Sequence, residues 1–448
     1  MSKARVHVAV VGGGAAGIFG AIACAEANPG VRITVLEAGA GPLSKVKISG
    51  GGRCNVTHAC FDPVELVTHY PRGHRALRGP FQRFQPQDTV QWFEQRGVTL
   101  KTEADGRMFP TSDHSQTIID CLLDQLAHHR IELRTRTPVV SVQLSHADNS
   151  SDNSFGANNV TSNKDASNHK ADAQPSDDTA SEDSVPHFRL QLKSGETLSC
   201  DRLLLATGSN PQGYRIAQSL GHQISPPVPS LCTFTINVPE LRALAGIAIA
   251  PARARLMLPN AKPLEQTGPI LLTHWGLSGP AVLKLSAWGA RDLHECGYQA
   301  PLRVTWVPDE TQDSLRQHLL TIKAEWAKKT IASISPIDLP RRFWKYLLTR
   351  TEINLQIRWA DLPKKSLNRL VQTLMQDTYN IQSKGVFKDE FVTCGGIQLK
   401  EVNFKTMESR YCPGLFFAGE ILDIDGVTGG FNFQNAWTTG WLAGQALA

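Results

Sequence analysis

The 448-residue chain has no run of 18 or more apolar residues, so nothing in it reads as a membrane-spanning helix. It has no CxxC pair and no zinc spacing. Its nine cysteines (Cys24, Cys54, Cys60, Cys121, Cys200, Cys232, Cys296, Cys394 and Cys412) are scattered. An odd, dispersed set in a large chain reads as reduced thiols, which makes a cytoplasmic location the expectation. No block of five or six basic residues occurs, and the net charge is only +5. Composition therefore gives no reason to expect a nucleic-acid partner, and the mild excess of cations suits a chain that holds an anionic dinucleotide.

What is present is length, glycine and short apolar runs. The length exceeds what one hydrophobic core organises, so two or three domains are expected. Lys3 and Arg5 precede an apolar stretch and small residues follow at Ala21–Ala27, which imitates a signal peptide. The triplet Gly12-Gly13-Gly14 interrupts that stretch where a signal helix would be continuous. The segment reads better as a strand (6–11), a turn (12–17) and a helix (18–27), with a second buried strand at 31–36 ending on Glu37.

Gly12, Gly14 and Gly17 make a GxGxxG turn between that strand and that helix. The first glycine permits the turn, the second lets backbone approach a pyrophosphate, and the third lets helix pack on strand. The unpaired N–H groups of the helix start favour phosphate, and Glu37 stands where a carboxylate accepts from a ribose. Glycine turns alone are common; strand, helix and acid in the right order are not. A second half-site returns at 414–420 (GLFFAGE), followed by Asp423, a turn over 426–432 and a helix from about Asn435. No second GxGxxG exists, so no separate nicotinamide domain is expected.

Between these ends the texture changes. Residues 133–144 and 188–192 alternate as hairpin strands, and 201–206 is a short buried strand closed by Thr207-Gly208. The intervening 145–186 is dominated by Asn, Asp, Ser and Ala and reads as a disordered surface loop. Short apolar runs with Pro and Gly over 221–308 suggest a β-barrel subdomain. Helical spacing over 309–383, as in Leu315, Leu319, Ile322 and Trp326, suggests a helical subdomain. The dinucleotide-binding domain is thus read as 1–220 together with 384–448, interrupted by the other two.

Three loops carry further chemistry. The stretch 48–55 (ISGGGRCN), with Lys45, Lys47 and Arg53 around it, could close on a flat ligand, with Arg53 free to pair an anion; the bland reading is a surface turn. Arg107 in RMFP and His274 in THWGLSGP are the candidate catalytic side chains, although a lone His beside Trp is more often a structural hydrogen bonder. Cys54 and Cys60 are CX5C, not the CX4C of flavin disulfide reductases, which favours non-redox thiols.

These stretches together resemble a bacterial flavoprotein family that includes BaiN and YhiN, often labelled aminoacetone oxidase-like. The resemblance rests on VVGGGAAG (from Val10), KISGGGRCN (from Lys47), GRMFP (from Gly106), LLTHWGLSGPAVL (from Leu271), TCGGIQLKEVNFKTMESR (from Thr393) and AGEILDIDGVTGGFNFQNAWTTG (from Ala418). It covers nearly the whole chain except the 145–186 insertion. It implies an α/β fold, a Rossmann-type FAD-binding domain interrupted by an inserted β-barrel and a helical subdomain. It also implies FAD as cofactor, with NAD(P)H as a candidate donor and a small-molecule substrate. The cofactor-binding set expected from motifs and resemblance is Gly12, Gly14, Ala15, Ala16, Gly17, Glu37, Lys45, Gly52, Arg53, Cys54, Asn55, Val139, Thr207, Gly208, Gly419, Glu420, Asp423, Gly430, Phe431 and Asn432, with no metal. The flavin carries the redox step, so no nucleophile or triad is required. Two alternatives remain: an FAD-dependent tRNA-modifying enzyme, and a non-enzymatic flavin-bound redox sensor.

Overall fold

The near-continuous apolar runs at 7–11, 32–36, 202–205 and 415–417 can be buried only where both faces of a sheet are covered. In the computed structural model, which describes residues 5–145, 187–259, 261–385 and 392–448, they form the centre of one sheet. His7–Val11 lies in the middle, parallel to Arg32–Leu36 on one side and Arg202–Leu205 on the other. Leu415–Phe417 extends the sheet beyond Arg202–Leu205, Glu132–Arg134 lies beyond Arg32–Leu36, and Val402–Asn403 and Glu408–Ser409 add an antiparallel edge. The C-terminal segment is therefore a strand of the N-terminal domain's own sheet.

The first helix, Ala15–Ala27, packs on the last, Phe431–Leu447. Small residues make this approach possible. A Cβ on Gly440 would fall 2.6 Å from the Ala16 carbonyl oxygen, and one on Gly444 would fall 2.4 Å from that of Gly20. Phe19 is buried against Trp92 and Trp437, with ring centroids at 4.7 and 5.3 Å.

Residues 133–144 are not one hairpin strand. Glu132–Arg134 belongs to the large sheet, and Val139–Ser145 pairs with His187–Leu192 in a three-stranded sheet completed by Thr197–Cys200. The break falls at Arg136, which takes a left-handed φ of 53°, while the Thr137 N–H donates to the Glu37 carbonyl at 2.8 Å. Of the expected disordered loop, all but Ser145 lies outside the described residues.

The inserted β region is a closed barrel of six strands: Phe234–Ile236, Ala248–Leu256, Leu264–Leu272, Gly276–Ser278, Ala300–Thr305 and Asp377–Lys384. The last corrects the helical reading of the stretch up to 383. The helical period ends with Gln376, and Asp377, Tyr379 and Ile381 then alternate inward. The three long helices Gln312–Glu325, Arg341–Arg350 and Lys364–Gln376 are inserted between the two final barrel strands and share one hydrophobic core with the barrel. Ile224–Ser230 and Val392–Ile397 pair antiparallel as the two strands that leave and rejoin the first domain.

Candidate functional site

The GxGxxG turn is built as its glycines require. Gly12 has φ +114°, and a Cβ there would fall 2.4 Å from the Ala206 carbonyl oxygen; one on Gly17 would fall 2.0 Å from that of Gly12. Gly14 differs, because a Cβ there meets nothing within 4 Å. It caps the first helix with extended backbone and offers no side-chain acceptor. The helix therefore begins, at Gly14, beside open space. Glu37 is locked next to this turn, its Oε2 accepting from Gly13 N–H at 2.8 Å and its Oε1 from Gly39 N–H at 2.6 Å. Val139 follows two residues after Thr137, whose amide is tied to Glu37.

The C-terminal half-site closes on the same turn. A Cβ on Gly419 would fall 2.8 Å from Ala16 Cβ. Glu420 beside it pairs with Lys45 (Nζ–Oε2 2.5 Å) and accepts from Thr393 N–H at 3.0 Å. Gly208 also faces Glu420, since its Cβ would lie 3.5 Å from Oε2. The hydroxyl of Thr207 is buried with no partner in the protein. An open glycine face, an uncapped helix start and an unpartnered buried hydroxyl fit a phosphate-bearing nucleotide, and the Glu37 and Glu420 carboxylates nearby are already engaged by backbone N–H groups and Lys45.

The 48–55 loop is not a plain surface turn. Gly50, Gly51 and Gly52 have φ of +57°, +70° and +87°, and side chains on the last two would meet nothing within 4 Å. Asn55 joins this loop to the last helix, its Oδ1 accepting from Gly430 N–H at 2.9 Å and its Nδ2 donating to the Thr57 carbonyl at 3.0 Å. Asn432 serves the fold: its amide accepts from Gly426 N–H at 2.8 Å and donates to the Gly426 carbonyl at 2.9 Å. Asp423 is likewise engaged, by Arg291 at 2.9 Å. Cys54 is fully buried, and burial raises its thiol to about 12, while Cys60 is raised to about 11. Both are free thiols unsuited to redox exchange.

Phe431 packs against two histidines that the motifs did not single out, His58 and His69, whose own ring centroids are 6.0 Å apart, so the three rings form a cluster in mutual contact. The His58 and His69 rings stack on it at 4.7 and 4.2 Å. His58 Nε2 donates to the Asp105 carbonyl at 3.1 Å, which leaves Nδ1 without the proton in the neutral ring, and Nδ1 is buried without a partner. Burial, with Lys284 of the barrel's helix Pro280–Trp288 adding repulsion, lowers the His58 pKa. His69 falls to about 4, from burial first and then from His58 and Lys284. Both rings are neutral at pH 7.

Arg53 and Arg107 do converge, on one carboxylate. Arg53 Nη1 lies 2.6 Å from Glu103 Oε1 and Arg107 Nη2 2.9 Å from Glu103 Oε2, and both guanidinium groups lie over Phe109. Asp113 also pairs with Arg53, and Asp105 with Arg107. Arg53 is therefore not the free cation expected from sequence, because acidic side chains of the neighbouring strand and loop already neutralise it. His274 sits exposed in the turn between two barrel strands, and among the described residues no hydrogen bond, ion pair or ring contact joins it to either arginine. The barrel side chain whose charge acts on the histidine pair is Lys284 instead. Lys284 is one helical turn before Trp288 with nothing around it in the sequence to mark it. His58 follows the GGGRCN stretch by three residues, and that proximity was the available signal.

One buried row imitates a hydrolase. His222 Nδ1 lies 3.0 Å from Glu401 and Nε2 2.9 Å from Ser409 Oγ. Ser409 Oγ also accepts from Tyr411 N–H and Cys412 N–H, so its lone pairs are occupied. With the His222 and Glu401 side chains 0% and 2% exposed, the row clamps the sheet edge. A second buried link joins the domains. Arg72 pairs with Asp425, which also accepts from Ser230 Oγ at 2.7 Å, while Arg72 Nη1 donates to the Ala287 carbonyl at 2.6 Å.

A family profile described as HI0933-like protein Rossmann domain matches residues 6–164 and 163–446. The chain belongs to that family. It is a flavoprotein oxidoreductase with FAD as cofactor, as its motifs led one to expect. It is 27% identical to the 3-dehydro-bile acid delta(4,6)-reductase of Clostridium scindens, over 99% of each chain. It is 28% identical to the ribosomal RNA dihydrouridine synthase of Escherichia coli, over 99% of this chain and 98% of that one. Among solved structures, the 3-ketosteroid delta1-dehydrogenase of Sterolibacterium denitrificans overlaps 98% of each chain, at 11% identity and a TM-score of 0.47. Among the described residues no helix is long and apolar enough to cross a membrane.

Proposed function

We propose that this flavoenzyme adds two hydrogens across a carbon–carbon double bond conjugated to a carbonyl in a small ring compound, with NAD(P)H as the electron source. The observation that carries it is the cluster of the His58, His69 and Phe431 rings, near enough to Lys284 for its charge to act on both histidines, with His58 Nδ1 left unpartnered. Flat rings beside one cation and one free ring nitrogen suit a planar conjugated substrate that must receive a proton. The names of the two full-length relatives, a double-bond reductase and a dihydrouridine synthase, share that chemistry.

In this reading Gly12, Gly14, Ala15, Ala16 and Gly17 receive the pyrophosphate, Glu37 and the Val139 strand the adenosine end. Lys45, Thr207, Gly208, Gly419 and Glu420 wall the middle, and Gly52–Asn55 with Gly430–Phe431 meet the ring. FAD held there and reduced by NAD(P)H would supply the hydride. Lys284 hydrogen-bonds the substrate carbonyl and provides the second hydrogen as a proton, and His58 Nδ1, buried until the substrate displaces its cover, accepts a substrate N–H or O–H. Arg107 is a positioning residue, because it holds Asp105, whose carbonyl fixes the His58 ring. His274 has no part in this arrangement.

The test is anaerobic reduction of the purified protein by NADH and NADPH, followed by a screen of conjugated ring ketones as oxidants. Lys284→Met and His58→Gln should slow reoxidation by the substrate while FAD content and reduction by the donor stay unchanged, with His274→Ala as the unaffected control. Reduced flavin that only oxygen reoxidises would sink the proposal.

A second reading, a uridine in RNA as the ring, has its own observation. Between residues 309 and 380 there are twelve Lys and Arg against eight Asp and Glu, a net of +4 in a chain of net +5. The excess charge is thus concentrated on the inserted helical region. Affinity for a ribosomal RNA fragment falling steeply with salt, together with dihydrouridine in the product, would favour it over a free small molecule.

A further inference from the structure

We propose that Cys60, Glu65 and His69 form a binding site for a divalent transition-metal ion of the zinc type. One ligand atom from each, the Cys60 sulfur, a Glu65 carboxylate oxygen and a His69 ring nitrogen, lies within 4.8 Å of the other two. The local sequence explains the cluster. Glu65 and His69 lie four residues apart across the consecutive helices Pro63–Leu66 and Val67–His69, which places them on one face. Asp62 caps the first of these by accepting from Val64 N–H at 2.9 Å, and Cys60 is presented from the turn before it, its N–H donating to the His58 carbonyl at 2.8 Å. Among the described residues the Glu65 carboxylate and the His69 ring make no hydrogen bond or ion pair, so neither needs a partner taken from it.

One sulfur, one nitrogen and one oxygen donor match borderline-soft metals, and zinc accepts all three. Zinc bonds of about 2.0–2.3 Å require the donors to draw somewhat closer. Glu65 is exposed and free to make that movement. The Lys284 charge acts on His69 and opposes a cation, whereas the carboxylates of Glu65 and Asp62 beside Cys60 favour one. Three protein ligands leave a fourth position for water or for a substrate oxygen, as in zinc centres with an open site. Because His69 stacks on Phe431, the ion would tie the 60–69 turn to the wall of the flavin cleft.

The experiment uses the full-length, FAD-loaded protein. It is incubated with zinc chloride, passed through gel filtration and analysed for metal by mass spectrometry. About one zinc per chain is expected in the wild type, with loss in Cys60→Ser and in His69→Ala and tighter retention in Lys284→Met. Flavin content and melting temperature show whether each variant is folded. In the wild type, zinc should also slow alkylation of Cys60, followed on its own peptide, which needs no substitution. Absence of retained zinc, the same zinc content in both variants, or unchanged alkylation of Cys60 would each overturn the proposal. All three readouts are independent of redox activity and of the substrate.

Discussion

Gly14→Val separates cofactor binding from folding, because the three motif glycines differ in what surrounds them. At Gly14 a Cβ meets nothing within 4 Å, and the backbone, φ −85° and ψ −173°, is one that valine adopts readily. At Gly17 a Cβ would lie 2.0 Å from the Gly12 carbonyl oxygen, and at Gly12 it would lie 2.4 Å from that of Ala206, with φ +114° besides. Gly17→Ala must therefore push the helix off the strand, at the cost of overpacking, about 1–3 kcal/mol or more. Gly12→Ala adds backbone strain of about 1–3 kcal/mol. Gly14→Val has neither penalty, and its apoprotein should melt with the wild type. Its side chain would occupy the open space at the helix start where the proposed reading puts the pyrophosphate, so FAD affinity should fall at least about a hundredfold, about 2.8 kcal/mol. The assay is chromatography of heat-released flavin beside thermal melts of the apoproteins, and the flavin should be FAD rather than FMN. A Gly14→Val protein that stays fully yellow would refute this placement of the pyrophosphate.

Asp425→Asn leaves the Arg72 guanidinium, 15% exposed, without its counter-charge and should destabilise the fold by about 3 kcal/mol. The Arg72→Met, Asp425→Leu double variant should recover much of that in a thermal melt, and failure to do so would point to a specific need for the pair. Ser145 sits directly opposite His187 in the hairpin, so replacing 146–186 by a two-residue Asn-Gly turn should keep FAD content. It should leave stability unchanged or higher, since each halving of a loop saves about 0.6 kcal/mol in closure entropy; flavin loss would count against this. His69, at about 4 in the folded protein against 6.5 in its absence, takes up a proton on unfolding between those values. Its stability contribution is complete above pH 6.5 and is lost as pH falls toward 4. His69→Gln should flatten the acid limb of melting temperature against pH, and an unchanged limb would place the titration elsewhere.

The sequence by itself determined the dinucleotide half of this protein. Continuous apolar runs suit a doubly covered parallel sheet, and the glycine spacing with Glu37 suits a nucleotide turn, because both are governed by local backbone geometry. Even the return of the chain at 414–420 was legible, as a strand ending in glycine and an acid. The barrel was legible as texture, but its last strand at 377–384 was not, since it follows a helix and closes a sheet begun some 140 residues earlier. Whether a charged side chain is free was decided only in three dimensions. Arg53 and Arg107 read as available cations, yet both rest on Glu103, and Lys45 rests on Glu420. The clustering of His58 and His69 with Phe431, within reach of the Lys284 charge, is likewise a product of tertiary structure. The four positions come from three distant stretches of chain, and ring stacking across such separations leaves no period or spacing in a sequence.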